Sequence, residues 1–294
     1  MADNICIGTA QFGMPYGIAN KSGQPGTDEV LSIVRLASEY DIWLYDTAQA
    51  YGNSETLLGK AFSKLKVNDR VHCITKLHPE LKSENTTALI ESVKQSMGRL
   101  QVSQLWGLLA HRLSQVKNPG AVKTVEQLKS QGLVQFWGVS LYDPKDALSL
   151  VTDDTVDIIQ VPFNILDRRL LDCGFFEAAR EYDKKVFLRS IFLQGLLFLD
   201  SKDLYEKGME WAQPNLDDLQ KRIRALKMPV ESFAMQAVST VVPDGVMIMG
   251  IEKASQLEKN LNALRSPLIA KDLVDNWWKN LPAYPERLLN PSLW

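Results

Sequence analysis

Four polar side chains stand where short apolar runs end: Asp46, Tyr51, Lys76 and His111. A tyrosine phenol is a weak acid with an ordinary pKa near ~10. An ammonium beside it, such as that of Lys76, favours the phenolate and eases proton donation near neutral pH. The Asp46 carboxylate can hold that ammonium, because a charge buried without a partner is costly. An imidazole at His111 can hydrogen-bond a polarised oxygen and fix its orientation. Such a set suits the delivery of a proton to a developing alkoxide. Each residue alone also has a plainer role: a structural Asp–Lys pair, a packed tyrosine, or a loop histidine of the kind expected of His72 and His78. The joint pattern argues for chemistry.

Those residues need elements to hold them. Short β-rich runs occur at Ile5–Thr9, Ile42–Asp46, Val71–Lys76, Leu105–Ala110, Val134–Ser140, Val156–Val161, Val186–Ser190 and Val246–Met249. Segments with helical spacing lie between them, at Asp28–Glu39, Ser54–Lys64, Thr86–Leu100, Ala121–Ser130, Pro144–Val151, Leu171–Tyr182 and Leu216–Gln236, with a last one at Lys253–Leu264. Strand–helix alternation implies parallel strands joined by helical crossovers. Such units over about 265 residues fit a closed (β/α)8 TIM barrel, whose usual size is about 250 residues. An open doubly wound sheet competes, but its G-x-G-x-x-G fingerprint is absent. The expected fold class is therefore α/β, a single domain over residues 1–294, with the barrel at about 4–265 and a C-terminal appendage at about 266–294. Period-2 alternation puts Asp46 on the face of Ile42 and Leu44, leaving Trp43 and Tyr45 for the helix layer. Catalytic groups in such barrels sit at the C-terminal strand ends. Asp28 and Ser54 are expected helix starts, Asp143-Pro144 another. Residues 197–214 read as a long loop over the barrel mouth.

The run Asp46-Thr47-Ala48-Gln49-Ala50-Tyr51-Gly52-Asn53-Ser54-Glu55 resembles the signature of aldo-keto reductases around their aspartate and tyrosine. Lys76 and His111 fall in the family's order, and Gly8-Thr9-Ala10, Gly138-Val139-Ser140 and Gln160 lie where the family has them. The resemblance spans about Ile5 to Asn260. It implies a nicotinamide-dependent oxidoreductase that reduces an aldehyde or ketone, sugar-like carbonyls included, to an alcohol. In that scheme Tyr51 is the general acid, Lys76 tunes it, Asp46 holds Lys76 and His111 orients the carbonyl. The implied cofactor contacts are Thr9, Ala10, Asp46, Ser140, Gln160, Arg189, Ser190, Gly195, Gly250, Glu252, Gln256 and Asn260. NADP is the expected cofactor, with NAD open, because Glu252 and Gln256 stand where NADP-preferring members often carry basic residues. Two further departures are Leu141, where the family often has Asn, and Arg189, where many members stack a Tyr on the nicotinamide. Asn164 is a candidate to replace the missing amide, and Arg189 could favour an anionic or polyhydroxylated substrate. Tyr16, Phe12, Trp106 and Trp294 are candidates for an apolar substrate wall.

Composition narrows the classes. With 33 basic and 35 acidic residues the net charge is −2, which disfavours a nucleic-acid surface. No apolar stretch approaches the roughly 20 residues that span a bilayer, and the N-terminus does not read as a signal peptide. Cys6, Cys73 and Cys173 form no metal or disulfide pattern; no metal is expected, Cys6 and Cys73 read as buried small hydrophobes, and a cytoplasmic setting fits. The partner is a small-molecule carbonyl substrate, no nucleic acid or membrane, the chain a monomer or small homo-oligomer. Two other readings stand: a nicotinamide-binding regulatory or assembly subunit with little turnover, and a barrel hydrolase or isomerase using Asp46 and His111.

Overall fold

The strands found in the computed structural model, which describes residues 4–82, 85–265 and 269–294, close into one parallel barrel in the order β1 to β8. They are β1 (Ile5–Gly8), β2 (Leu44–Asp46), β3 (His72–Lys76), β4 (Leu105–Ala110), β5 (Val134–Ser140), β6 (Ile158–Pro162), β7 (Lys185–Arg189) and β8 (Val246–Gly250). Pairing of Gly8 with both Asp46 and Gly250 closes the ring. It also brings the ends of β1, β2 and β8 to one level. In the next pairing Asp46 lies opposite Ile74, so Lys76 stands two residues further up β3.

The barrel interior is filled by Cys6, Ile74, Leu109, Ile158, Phe187 and Ile248, with Leu44, Trp106, Phe136 and Val246 packed against them. Leu44 faces inward, as its alternation with Asp46 requires. Tyr45 faces outward, meeting Phe62 of the helix Ser54–Leu65 edge-on with centroids 5.0 Å apart. Ile42 departs from the expectation. It precedes β2, bonds back to Ala37 and belongs to the outer core.

Helices run where the apolar period predicts them, with two interruptions. The segment expected at Leu171–Tyr182 breaks into Arg169–Asp172 and Phe175–Glu181 around Gly174, whose φ is +71°. The long segment at Leu216–Gln236 breaks into Gln213–Ala225 and Val230–Val241. Pro229 caps the second piece and has no N–H to continue the first, while Lys227 turns left-handed at φ +53°. Asp143 caps the helix Pro144–Leu148 as expected, accepting Lys145 N–H at 2.8 Å. Asp28 is not a cap but a first-turn residue after Gly26. Ser54 begins its helix as expected, with Glu55 in the first turn, though as the first helical residue rather than the cap, its hydroxyl being committed to Thr9. The segment expected as loop at 197–214 contains the helix Ser201–Glu206, set by a reciprocal capping box between Asp200 and Asp203.

The boundary expected at about 266 falls on residues outside those described, as do Met1–Asp3 of the N-terminus. Beyond it the helix Lys271–Lys279 returns to the barrel. Trp278 stacks on Phe163 at 5.3 Å, and Trp277 Nε1 donates to the Ile165 carbonyl at 2.9 Å. The C-terminal appendage thereby covers the segment that follows β6.

Candidate active site

Asp46 ends β2 with its carboxylate almost wholly buried, and Lys76 ends β3 beside it. The Lys76 ammonium donates to Oδ2 of Asp46 at 2.6 Å, to Oδ1 at 2.7 Å and to the Thr47 carbonyl at 2.9 Å. All three of its protons therefore have acceptors. Burial opposes the ammonium, but the Asp46 carboxylate outweighs that penalty and holds the Lys76 pKa above its ordinary range. The nitrogen lies 5.1 Å from the centre of the Tyr51 ring. Gln160 Nε2 donates to Asp46 Oδ1 at 2.8 Å, and Ser140 Oγ donates to Gln160 Oε1 at 2.8 Å. Ser140, Gln160, Asp46 and Lys76 thus form one hydrogen-bonded chain across the barrel top.

The local sequence explains how Tyr51 is held. Ser54 Oγ donates to the Thr9 carbonyl at 2.9 Å, and Thr47 Oγ1 donates to Ser54 Oγ at 3.0 Å. Thr9 Oγ1 donates to the Asp46 carbonyl at 2.9 Å, tying the loop to β1. Glu55, buried, accepts from Thr75 Oγ1 at 2.6 Å and Arg99 Nε at 2.7 Å. Gly13 packs so closely on the loop that a Cβ there would stand 1.7 Å from the Tyr51 carbonyl. The Thr, Ser and Glu of the run Asp46–Glu55 are thus a clamp on the tyrosine's backbone.

His111 follows β4, and its main-chain N–H donates to Gln115 Oε1 at 3.0 Å. Burial, then the charges of Lys76 and Arg189, push its pKa down to about 4, so the imidazole is neutral at neutral pH. Its Nε2 is buried without a partner among the described residues. A buried polar atom left open in this way fits a ligand oxygen.

A cleft of about 320 Å³ opens at these strand ends, within the range of small-ligand sites at roughly 300–1,000 Å³. Of the expected residues, Thr9, Ala10, Asp46, Tyr51, Gln160, Arg189, Ser190, Gly195, Gly250, Glu252, Gln256 and Asn260 line it. Lys76, Ser140 and His111 stand outside its lining. Asn164 does not line it either: fully buried, it spends Oδ1 on Leu166 N–H at 3.0 Å, and its Nδ2 is unpaired away from the cleft. Leu141 is buried, and its carbonyl accepts from Arg189 Nη2 at 3.0 Å. Of the aromatic candidates only Tyr16 reaches the wall. Phe12 is core, and Trp106 packs on Phe136 near the opposite strand ends. Trp294 donates to the Arg287 carbonyl in the appendage.

Sequence reasoning missed Gln11, Phe198 and Glu231, while Phe192, Gln194 and Lys259 fall within the segments 191–197 and 250–260 that the resemblance places along the pyrophosphate and the adenosine. Gln11 sits in a one-turn helix after β1, and Glu231 starts the helix Val230–Val241. Neither carries a motif, and only closure of the barrel brings them to one wall. Ser190, Leu193, Gln194 and Gly195 share positive φ values, which fold the segment after β7 against Ala19. The far end of the cleft lies at the start of the helix Ala254–Arg265. There Gln256 Oε1 accepts from Glu252 N–H at 2.7 Å, and Glu29 Oε1 accepts from Ala254 N–H at 2.7 Å. Among the described residues no group of three His, Cys, Asp or Glu could hold a metal ion, and no helix is long and apolar enough to cross a membrane.

The model of the Aldo/keto reductase family matches residues 4–275. The chain belongs to the aldo/keto reductase family. Solved structures agree at the level of the fold. The holo form of an aldo-keto reductase from Bacillus halodurans aligns with TM-score 0.75 and 19% identity, covering 98% of this chain and 95% of that one. A thermostable aldo-keto reductase in complex with the inhibitor epalrestat aligns with TM-score 0.68 and 20% identity over 93% and 94%. A Pseudomonas aeruginosa protein assigned as an aldo-keto reductase gives 0.66 and 20% over 88% of each chain. Among curated proteins no sequence matches. As an aldo/keto reductase the chain is an oxidoreductase, and the polar chain from Ser140 to Lys76 sits where a barrel enzyme holds its chemistry.

Proposed function

We propose that this aldo/keto reductase reduces an aldehyde or ketone to the alcohol, with Tyr51 as the general acid. The observation that carries the reading is the Lys76 ammonium, held by both oxygens of Asp46 and 5.1 Å from the Tyr51 ring centre. A bound nicotinamide dinucleotide would supply the hydride. The chain's own residues do the rest. Lys76 stabilises the phenolate that remains after Tyr51 gives up its proton, and Asp46 keeps Lys76 charged and aimed. His111, neutral with Nε2 open, donates a hydrogen bond to the carbonyl oxygen and orients it.

Thr9, Ala10, Ser140, Gln160, Ser190, Gly195, Gly250, Glu252, Gln256 and Asn260 would hold the dinucleotide. Gly250 and Gly195 present bare backbone to the cleft, Gly195 at φ +94°. NADP was expected from the resemblance, but the far end of the cleft favours NAD. Glu231 and Glu252 line it, Lys259 is paired with Glu231 at 2.7 Å, and Glu29 and Gln256 already satisfy the helix-start amides. A 2′-phosphate would meet the Glu231 and Glu252 carboxylates there, and the Glu252 and Ala254 amides are already taken. Three free thiols, two of them buried, suit a reducing cytoplasmic setting.

Titration with NADH and NADPH, followed by quenching of tryptophan fluorescence in the wild type and Tyr51→Phe, tests this reading. Both proteins are expected to bind NADH more tightly than NADPH. The variant's carbonyl turnover should fall by roughly 10²–10⁴-fold, the usual worth of a positioned acid. Binding of neither dinucleotide rejects the reading, and binding without turnover of any carbonyl compound points to a regulatory subunit.

A further inference from the structure

Two cations line the cleft, Arg189 and Lys259. Lys259 is matched by Glu231 at 2.7 Å. Arg189, the last residue of β7, has no carboxylate partner among the described residues. Its polar contacts are neutral: Nη2 donates to the Leu141 carbonyl at 3.0 Å and Nη1 reaches Ser190 Oγ at 3.4 Å. Its guanidinium carbon stands 3.9 Å from the centre of the Tyr142 ring, which is partly open to solvent.

The charge balance at this end of the cleft is therefore incomplete. Asp46 and Lys76 cancel each other at 2.6 Å. His111 is neutral, partly because the Arg189 charge disfavours its protonation. A guanidinium stays protonated at any working pH, so one positive charge is left over. Paired half-buried cations elsewhere show the alternative, Arg169 with Asp167 at 2.7 Å and Arg99 with Glu55 at 2.7 Å. The uncompensated charge also lies beside the polar chain at the strand ends, since Leu141, whose carbonyl accepts from Arg189, directly follows Ser140, and Ser140 is linked through Gln160 to Asp46.

We propose that Arg189 is the anion-recognising residue of this cleft, so that the carbonyl substrate carries a carboxylate or a phosphate ester. Both are oxyanions that a planar guanidinium binds through paired N–H···O bonds. The anion would complete the charge balance at the edge of the guanidinium, leaving its face to the Tyr142 ring. The inference rests on the carbonyl-reductase reading above and names its substrate class.

The test compares matched pairs of substrates in the wild type, Arg189→Met and Arg189→Lys: succinate semialdehyde against butanal, and glyceraldehyde phosphate against glyceraldehyde. Dinucleotide affinity is measured alongside by fluorescence. A hydrogen-bonded charged contact corresponds to roughly 10- to 100-fold in kcat/KM. The wild type is expected to prefer one anionic member over its neutral partner by that ratio, and which pair shows it separates carboxylate from phosphate. Arg189→Met should bring the ratio to near unity by raising KM for the anionic member far more than for its neutral partner. Arg189→Lys should keep part of it. Equal use of charged and neutral members by the wild type overturns the proposal. So does a loss confined to dinucleotide affinity, which would assign Arg189 to the cofactor's phosphates. If the dinucleotide binds but none of the four is reduced, calorimetry of succinate semialdehyde and of glyceraldehyde phosphate on the dinucleotide complex decides. Binding of either that is lost in Arg189→Met upholds the proposal, and binding of neither overturns it. If the dinucleotide itself fails to bind, the carbonyl-reductase reading falls first and this inference with it.

Discussion

Lys76 and Asp46 form an ion pair in a place almost closed to water, and the Asp46 carboxylate is what holds the Lys76 ammonium charged there. Lys76 is 1% exposed, and its three donors end on Asp46 and the Thr47 carbonyl. Removing one partner strands the other, which in buried pairs costs about 3–5 kcal/mol. Asp46→Ala is expected to lose stability of that order in urea unfolding. Asp46→Ala combined with Lys76→Met should recover much of it, since the stranded ammonium is gone. If the single variant unfolds at the wild-type urea concentration, the pair is more hydrated than its geometry implies. The tetrad-like set was legible at this scale because its residue types are costly to bury and therefore conspicuous at strand ends. Glu55 was legible as a letter in a motif and as an acid in the first turn of a helix. Its bonds to Thr75 and Arg99 show what the letter does.

Elements set how closely those residues can be held. The loop after β2 carries Tyr51, and the one-turn helix Ala10–Gly13 after β1 presses against it. Contact is close enough that Gly13 has no room for a methyl group: a Cβ would fall 1.7 Å from the Tyr51 carbonyl and 2.8 Å from Ser54 N. Neither obstacle is the tip of a flexible side chain, so the loop would have to move. Gly13→Ala is expected to lower kcat by roughly tenfold or more, because misplacement by about 1 Å can cost 10²-fold. Dinucleotide affinity should change less, which steady-state kinetics beside a fluorescence titration would show. An unchanged kcat would mean that the loop shifts as a body without disturbing the acid. Apolar periodicity located the helices well but ran through two breaks. Gly174 and Pro229 interrupt segments whose apolar pattern continues across the break, with Leu170 and Phe175 buried on either side of the one and Ile223 and Phe233 on either side of the other.

At the scale of the whole molecule, closure of the barrel decides burial, and burial decides charge. His111 is pushed down to about 4, first by burial and then by Lys76 and Arg189. Its folded pKa thus lies below the ordinary imidazole value of about 6.5. Between those values the unfolded chain takes up a proton that the folded chain excludes. Stability from this group is therefore full above about pH 6.5 and is lost as pH falls towards 4. Burial lowers the His72 pKa in the same direction, while Glu252, raised by burial, works against both. Melting temperature is expected to drop between pH 7 and pH 5, and to drop less in His111→Gln. Parallel curves for the two proteins would show that His111 is not the group responsible.

The sequence by itself determined the alternation of strand and helix, the inward phase of Leu44 and Asp46, and the order of Asp46, Tyr51, Lys76 and His111. These follow from local rules: the two-residue period of a strand, the helical period of a crossover, and the cost of placing charge at a strand end. Only the tertiary structure decided which distant residues share a wall. Glu231, Lys259 and Gln11 come together because β8 closes on β1, and no local pattern encodes a contact made across that closure. It also decided which charges are cancelled and which are not. Lys259 and Arg189 are both basic residues in sequence, but only the fold gives one a carboxylate at 2.7 Å and leaves the other facing the cleft without one among the described residues. Pairing depends on position in three dimensions to within an ångström or two, and that is information the linear order of residues does not carry.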